Sequence, residues 1–259
     1  MANLTSGVAS LNRRKLELKA TKPYAELLFL GDVHYGSNNC CVDKFRAMVD
    51  YCLKEKIYVL FMGDMLEAAT RYSIGSGVYD QLNPQKQYED MLGFLKPLAE
   101  AGLITGYLSG NHEDRILKET GIDVSKNLCR ELKVPYLGAA GWSLLYVGNQ
   151  AYTIYAIHGA SGSRFDYTKL KAVMDMSHYF QADIIAHAHV HSVLTNAVER
   201  QIIDRTRKIV EVRKAHCILT GHYLGYDKSY AQAKGYPPSK LGSPKAKLFG
   251  DRWDIHVSI

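Results

Sequence analysis

The chain has 259 residues, 47% hydrophobic and 22% charged, with a formal net charge of +6, enough apolar material for a large core in one domain. Its longest apolar runs, 27–30 and 57–62, are far too short to cross a bilayer, and the start, MANLTSGVASLNRRK, has no apolar signal segment. Five cysteines, an odd number that includes adjacent Cys40 and Cys41, exclude a disulfide framework and offer no CxxC zinc spacing, so they read as small core residues of a soluble cytoplasmic protein.

In chain order, AELLFLGD (25–32), IYVLFMGD (57–64) and LITGYLSGN (103–111) read as short strands buried on both faces, each ending in Gly followed by Asp or Asn. Between the first two, Phe45, Met48, Val49, Cys52 and Leu53 recur at helical spacing and predict an amphipathic helix. Helices are also expected over 86–101 and 166–180. From about 142 the pattern turns to hairpins: WSLLYV and QAYTIYAIH flank a Gly148-Asn149 turn, and the run from 191 to 221 alternates around a charged turn near Thr206. Within ADIIAHAHVHS (182–192), an extended backbone puts His187, His189 and His191 on one face, a disposition that suits a metal ion. Residues 199–259 hold twelve Lys/Arg against six Asp/Glu, so the whole net charge lies there as a candidate phosphate-facing surface. The expected architecture is one α/β domain over 1–259, two packed sheets with helices outside, with a basic β-rich part from about 192.

Open α/β sheets place their ligands beyond the carboxyl ends of the strands. Read off those ends, the chain offers Asp32 and His34, Asp64, Asn111 and His112, His158, and the histidine cluster. Carboxylates, imidazoles and an amide oxygen make a mixed O/N donor set suited to Mn²⁺, Fe or Zn²⁺. They exceed what one ion takes, and two divalent ions sharing Asp64 is the economical arrangement.

Taken in order, Asp32-Val33-His34, the G-D-x-x-E run from Gly63 to Glu67, the G-N-H-E run from Gly110 to Glu113, His158-Gly159 and a final x-H-x-H resemble the motifs of the calcineurin-like metallophosphoesterases over 29–191, about two thirds of the chain. The resemblance implies a four-layer α/β/β/α sandwich and a dimetal phosphoesterase that hydrolyses esters with metal-activated hydroxide, Mn²⁺ being the favoured ion. It implies that Asp32, His34 and one terminal histidine hold the first metal, that Asn111, His158 and another hold the second, and that Asp64 bridges. The last motif fits either 186–189 or 188–191, with alanine where the family usually has glycine. The second register is taken, so that His189 serves the second metal, His191 the first, and His187 stays buried behind them. The same resemblance makes His112 the donor of a hydrogen bond or proton to the leaving oxygen, and Glu67 the carboxylate that orients it. His178, His216, His222 and His256 have no ligand spacing and read as ordinary residues.

The substrate is less legible. The protein-phosphatase forms of the motifs are absent, since the text is GDMLEAA and SGNHE. The tail SYAQAKGYPPSKLGSP resembles that of phage and prophage members of the family. With the basic C-terminal part and an insertion at 71–84 bearing Arg71, Tyr72 and Tyr79, it points to a phosphodiesterase acting on nucleic acid, DNA in particular. The alternatives are a phosphatase of small phosphomonoesters or nucleotides, and a non-catalytic scaffold on the same fold. Scaffolds tend to lose ligands, and here every position is filled.

Overall fold

The apolar runs become the strands that carry the site. The computed structural model describes residues 10–19, 21–70, 73, 82–160 and 163–259. The elements run β1 (Leu11–Leu16), β2 (Tyr24–Leu30), α1 (Val42–Glu55), β3 (Tyr58–Phe61), α2 (Pro84–Glu100), β4 (Ile104–Leu108), α3 (Glu113–Thr120), α4 (Val124–Leu132) and β5 (Tyr136–Gly138). The second half holds β6 (Ala140–Val147), β7 (Gln150–Ile157), α5 (Asp166–Met176), β8 (Ile184–His187), β9 (Val193–Asp204), β10 (Ile209–Thr220), α6 (Tyr230–Ala233), β11 (Lys245–Phe249) and β12 (Ile255–Ser258).

Two six-stranded sheets result, in the orders β1-β6-β7-β8-β10-β9 and β12-β11-β2-β3-β4-β5. The second sheet is parallel from β2 through β5. Its central strands are covered on both faces, by helices on one and by the first sheet on the other, so Leu27, Phe29, Leu30, Val59 and Phe61 are all buried with no alternation. Burial of each such side chain contributes about 1.5–3 kcal/mol. The main core lies between the sheets and under α1, α2 and α4, while a smaller one seats Val173 of α5 against Tyr155, Ile185, Cys217 and Leu219 on the outer face of the first sheet. The four layers are those expected. Among the described residues no helix is long and apolar enough to cross a membrane.

Local chemistry sets the boundaries. Phe45, Val49 and Cys52 give α1 its buried face, and Lys56 in the left-handed region ends it by donating its N–H to the carbonyls of Cys52 and Leu53. Asn83 caps α2 by accepting the Lys86 N–H, with Pro84 in the first turn, so that helix starts two residues before the expected 86. The helix expected over 166–180 ends at Met176 in a turn closed by the Ser177 hydroxyl on the Met174 carbonyl. The apolar runs pair only as far as Leu30, Phe61 and Leu108, and the residues that follow them form the site loops.

The C-terminal part is β-rich, but it divides between the sheets: β9 and β10 extend the first, whereas β11 inserts antiparallel beside β2 in the second. Several of its cations have partners within the chain, one of them an acid outside this part. Arg200 donates to the carbonyls of Ser177, Phe180 and Ala182, Arg213 and Arg207 pair with Glu211, and Lys245 meets Glu26 at 2.7 Å. Arg71, Tyr72 and Tyr79 lie outside the described residues.

Candidate metal centre

Each site residue stands on a loop that leaves a buried strand end, and the loops are tied to one another by main-chain bonds. Asp32 donates its N–H to the Gly63 carbonyl, and His34 donates to the Asp64 carbonyl, both at 3.0 Å, so the loops after β2 and β3 run side by side. Asp32, His34, Asp64, His189 and His191 all have positive φ, between 49° and 68°. Non-glycine residues there are uncommon and cost local strain, and their clustering at one end of two sheets marks a site that the rest of the fold holds in place. Gly110 allows the closest approach: a Cβ on it would fall inside the Asp64 carboxylate.

The side chains converge in three overlapping groups whose nitrogen and carboxylate ligand atoms lie within 4.8 Å of one another: Asp32, His34 and His191; His34, Asp64 and His112; and Asp64, His158 and His189. His191 Nε2 lies 3.4 Å from Asp32 Oδ1 and 3.1 Å from His34 Nε2. His158 Nε2 is 3.3 Å from Asp64 Oδ2 and 3.0 Å from Asn111 Oδ1. Asp64 Oδ2 also stands 3.8 Å from His112 Nε2 and 3.9 Å from His34 Nε2, so it lies between the groups.

Hydrogen bonding behind the ligand atoms sets which nitrogen each histidine presents. His34 Nδ1 donates to Glu67 Oε2 at 3.1 Å and His158 Nδ1 donates to the Met62 carbonyl at 2.8 Å, leaving both Nε2 lone pairs turned inward. Nε2 of His34 then faces Nε2 of His191, and Nε2 of His158 faces the Asn111 oxygen. Such close contacts between ligand atoms suit a cation between them, a proton or a divalent ion. Asp32 Oδ1, Asp64 Oδ2 and His189 Nδ1 are buried and have no hydrogen-bond partner among the described residues, while the opposite carboxylate oxygens accept main-chain N–H bonds from His189 (2.9 Å) and His112 (2.8 Å). A side chain gripped by one oxygen and bare at the other is the donor set that a divalent ion takes.

Electrostatics point the same way. Asp32 and Asp64 are 0% and 1% exposed, and two carboxylates that deep require compensating positive charge. Burial by itself would raise the Asp64 carboxyl, but the His112 and His158 imidazoles hold it well below the usual range. Burial would lower His158, yet Asp64 outweighs it and pushes the imidazole up to about 10.

The structure brings together all nine residues singled out in the sequence. His187 ends β8, is buried, donates Nδ1–H to the Ala188 carbonyl at 2.7 Å and joins none of the ligand groups. Glu67 departs from its expected role in one respect: its carboxylate hydrogen-bonds to His34, whereas His112 Nδ1 donates to the Glu67 main-chain oxygen at 2.9 Å and is 3.5 Å from the carboxylate.

Three further residues matter. Glu113, read only as part of a motif, is buried and accepts main-chain N–H bonds from Asp64 (3.2 Å), Leu66 (2.9 Å) and Gly110 (3.1 Å), clamping the loops after β3 and β4 together. Burial and then the Asp64 charge push its carboxyl up to about 7 against those bonds. Glu113→Ala leaves three buried donors without an acceptor, each costing about 1–3 kcal/mol. The expected result is a thermal midpoint lower by at least roughly 6–12 °C, and an unchanged midpoint would refute the clamp. Arg115, one helical turn beyond His112, donates Nη2–H to His112 Nε2 at 2.9 Å; the i, i+3 spacing was its signal. His222 stacks on His191 with ring centroids 5.1 Å apart and planes 12° apart, and nothing in its spacing announced it. A cavity of about 1050 Å³ opens over these groups, with Arg115, Lys169, Lys228, Tyr226 and Tyr236 in its wall.

A family model described as calcineurin-like phosphoesterase matches residues 25–226. No curated protein matches the chain by sequence. Similar solved structures include a metallophosphoesterase from Sphaerobacter thermophilus (11% identity, 90% of this chain and 86% of that one, TM-score 0.41). Vacuolar protein sorting 29 from Cryptosporidium parvum gives 15%, 91%, 97% and 0.39, and Vps29 complexed with zinc from Entamoeba histolytica gives 12%, 90%, 97% and 0.37, in the same order.

Proposed function

Because the chain belongs to the calcineurin-like phosphoesterase family and is thereby a metal-dependent phosphoesterase, we propose that it hydrolyses phosphodiesters, with nucleic acid, DNA in particular, as the substrate class. Asp32, His34 and His191 would hold one divalent cation, Asn111, His158 and His189 a second, with Asp64 between them and Mn²⁺ the favoured ion. The observation that carries this reading is the pair of buried carboxylates, each with one unpartnered oxygen among inward-facing imidazole lone pairs. When bound, two such cations supply Lewis acidity, which makes water a nucleophile near neutral pH and offsets the charge on the phosphoryl oxygens.

The chain's own groups then have distinct tasks. Glu67 holds His34 by its Nδ1–H and so keeps Nε2 turned inward. Glu113 keeps Asp64 and Gly110 in register. His112, oriented by the bond from its Nδ1 to the Glu67 carbonyl, presents Nε2 beside Asp64, where a proton on it would pass to the leaving oxygen. That proton and the Arg115 bond exclude each other, since both groups would be donors. The Arg115 bond therefore breaks when His112 acts, with the Glu67 carboxylate, 3.8 Å from Arg115, or a substrate oxygen as the alternative acceptor.

A diester of nucleic acid is favoured over a small monoester by the size of the cavity and by Arg115, Lys169 and Lys228 in its wall beside Tyr226 and Tyr236. Cations track a polyanion, and aromatic rings stack on unpaired bases. The test is turnover of single-stranded DNA, bis-p-nitrophenyl phosphate and p-nitrophenyl phosphate after EDTA stripping and Mn²⁺ add-back, at 50 and 200 mM salt. Three phosphate contacts would weaken DNA binding roughly 20-fold between those salts. Preference for the monoester with salt-independent DNA cleavage would replace the nuclease reading with a phosphatase.

A further inference from the structure

His222 is held firmly at the edge of the site. The next residue, Tyr223, donates its N–H to the Asp32 carbonyl at 3.0 Å, and the His222 carbonyl accepts from Gly242 N–H at 3.0 Å, so this segment is tied to the loop that carries Asp32. The Leu224 N–H donates to His222 Nδ1 at 3.2 Å. With Nδ1 accepting, the proton of the neutral ring sits on Nε2. That Nε2 is buried and, among the described residues, has no hydrogen-bond partner, although His222 lines the cavity and is only 7% exposed. A buried donor with no acceptor is uncommon and destabilising in a folded protein.

Lys169 of α5 lines the same cavity and is itself 8% exposed. Its ammonium donates to Ser192 Oγ at 2.8 Å and lies 3.5 Å from Asp166 Oδ1, and Ser192 Oγ in turn donates to that Asp166 oxygen at 2.9 Å. Ser192 follows His191, and its carbonyl accepts the Gly221 N–H at 3.0 Å, which ties the stretch bearing Lys169's partner to the stretch bearing His222. A cation and a buried N–H without an acceptor among the described residues thus line the same cavity, and His222 belongs to none of the ligand groups.

We propose that His222 and Lys169 form a subsite for an anionic phosphate oxygen of the substrate on the His191 side of the cavity. It rests on the phosphoesterase reading and adds to it a recognition element beyond the cation ligands. An imidazole N–H and an ammonium are both donors to a phosphate oxygen, and hydrogen bonds to a charged group are stronger than neutral ones. The oxygen belongs either to the group being hydrolysed or to a neighbouring phosphate.

Two substrates separate those sources: thymidine 5′-(p-nitrophenyl phosphate), and the same compound with a 3′-phosphate. His222→Phe keeps the ring and removes the donor, His222→Gln restores a donor, and Lys169→Met removes the charge. KM, bound metal and the calorimetric Kd for inorganic phosphate are measured for each Mn²⁺-loaded protein. His222→Phe and Lys169→Met are each expected to raise KM by roughly ten- to a hundredfold, more than they lower kcat, with two metals retained, and His222→Gln is expected to recover most of the loss. An equal effect on both substrates assigns the scissile group, and an effect confined to the 3′-phosphorylated one assigns a neighbouring phosphate. Unchanged KM and Kd in the Phe variant, loss of a metal, or a Gln variant no better than Phe would each overturn the subsite. A wild-type protein that turns over neither compound would instead overturn the diesterase reading, and phosphate calorimetry would still report on the subsite.

Discussion

Asp64→Asn is expected to take bound metal from two ions per chain to fewer than one and to lower turnover by about 10³-fold or more, since the cations supply the largest charge stabilisation in such a site. The main-chain bond from His112 holds Asp64 Oδ1, so the replaced group would still sit between His34, His112 and His158. What changes is the charge: a neutral amide turns either a weak oxygen or an N–H₂ toward the second position, and neither bridges two dications. In the metal-free protein Asp64 is one half of a buried charge pair with His158, 3.3 Å away, whose imidazole it pushes up to about 10, so the substitution is expected to lower the metal-free melting point as well. At free metal 100-fold above its Kd, wild type should gain about 2.7 kcal/mol of stability on loading, and the variant should gain almost none. Elemental analysis and paired melts with and without EDTA read both quantities. A variant that keeps two ions and melts like wild type would remove Asp64 from the bridging position.

His112→Ala is expected to retain both metals and lose roughly 10²–10⁴ in kcat, the usual size of general acid–base help. The position of the ring makes the metal count decisive. His112 Nε2 stands in a ligand group with His34 and Asp64, while Arg115 donates to that nitrogen. If one ion is lost along with the rate, His112 is a ligand and the proton must come from elsewhere. If both ions stay, the loss should shrink for a substrate with a good leaving group such as p-nitrophenolate, because an oxygen that departs readily needs little protonation.

Asp32, His34, Asp64, Asn111, His158 and the histidine run were legible because each follows an apolar strand by one to four residues. Strand ends are short-range features that hydropathy reports directly. The choice of His189 and His191 over His187 rested on where β8 ends, and the strand does end at His187. Glu113, Arg115, Lys169 and His222 were not assigned roles, for different reasons. Glu113 acts by accepting N–H bonds from two loops, one of them more than forty residues away in sequence. His222 follows β10 and reaches the site only because β10 pairs parallel to β8 and ends beside the histidine loop. The elements β1, β11 and β12 escaped for the same kind of reason: their half-exposed, mixed patterns become strands only through pairing, β1 with β6, β11 with β2 and β12 with β11.

By itself the sequence determined the layered α/β class, the strands buried on both faces, and the placing of candidate donor residues after strand ends, since these follow from local hydropathy and residue chemistry. Tertiary structure alone decided which nitrogen His34 and His158 turn inward, and that Glu67 braces His34 with its carboxylate and His112 with its carbonyl. It also decided that Lys245 of the basic C-terminal part is paired with Glu26 of β2. Those outcomes depend on distances of a few ångströms between residues tens to more than a hundred positions apart, and hydrogen bonding and charge compensation act through those distances.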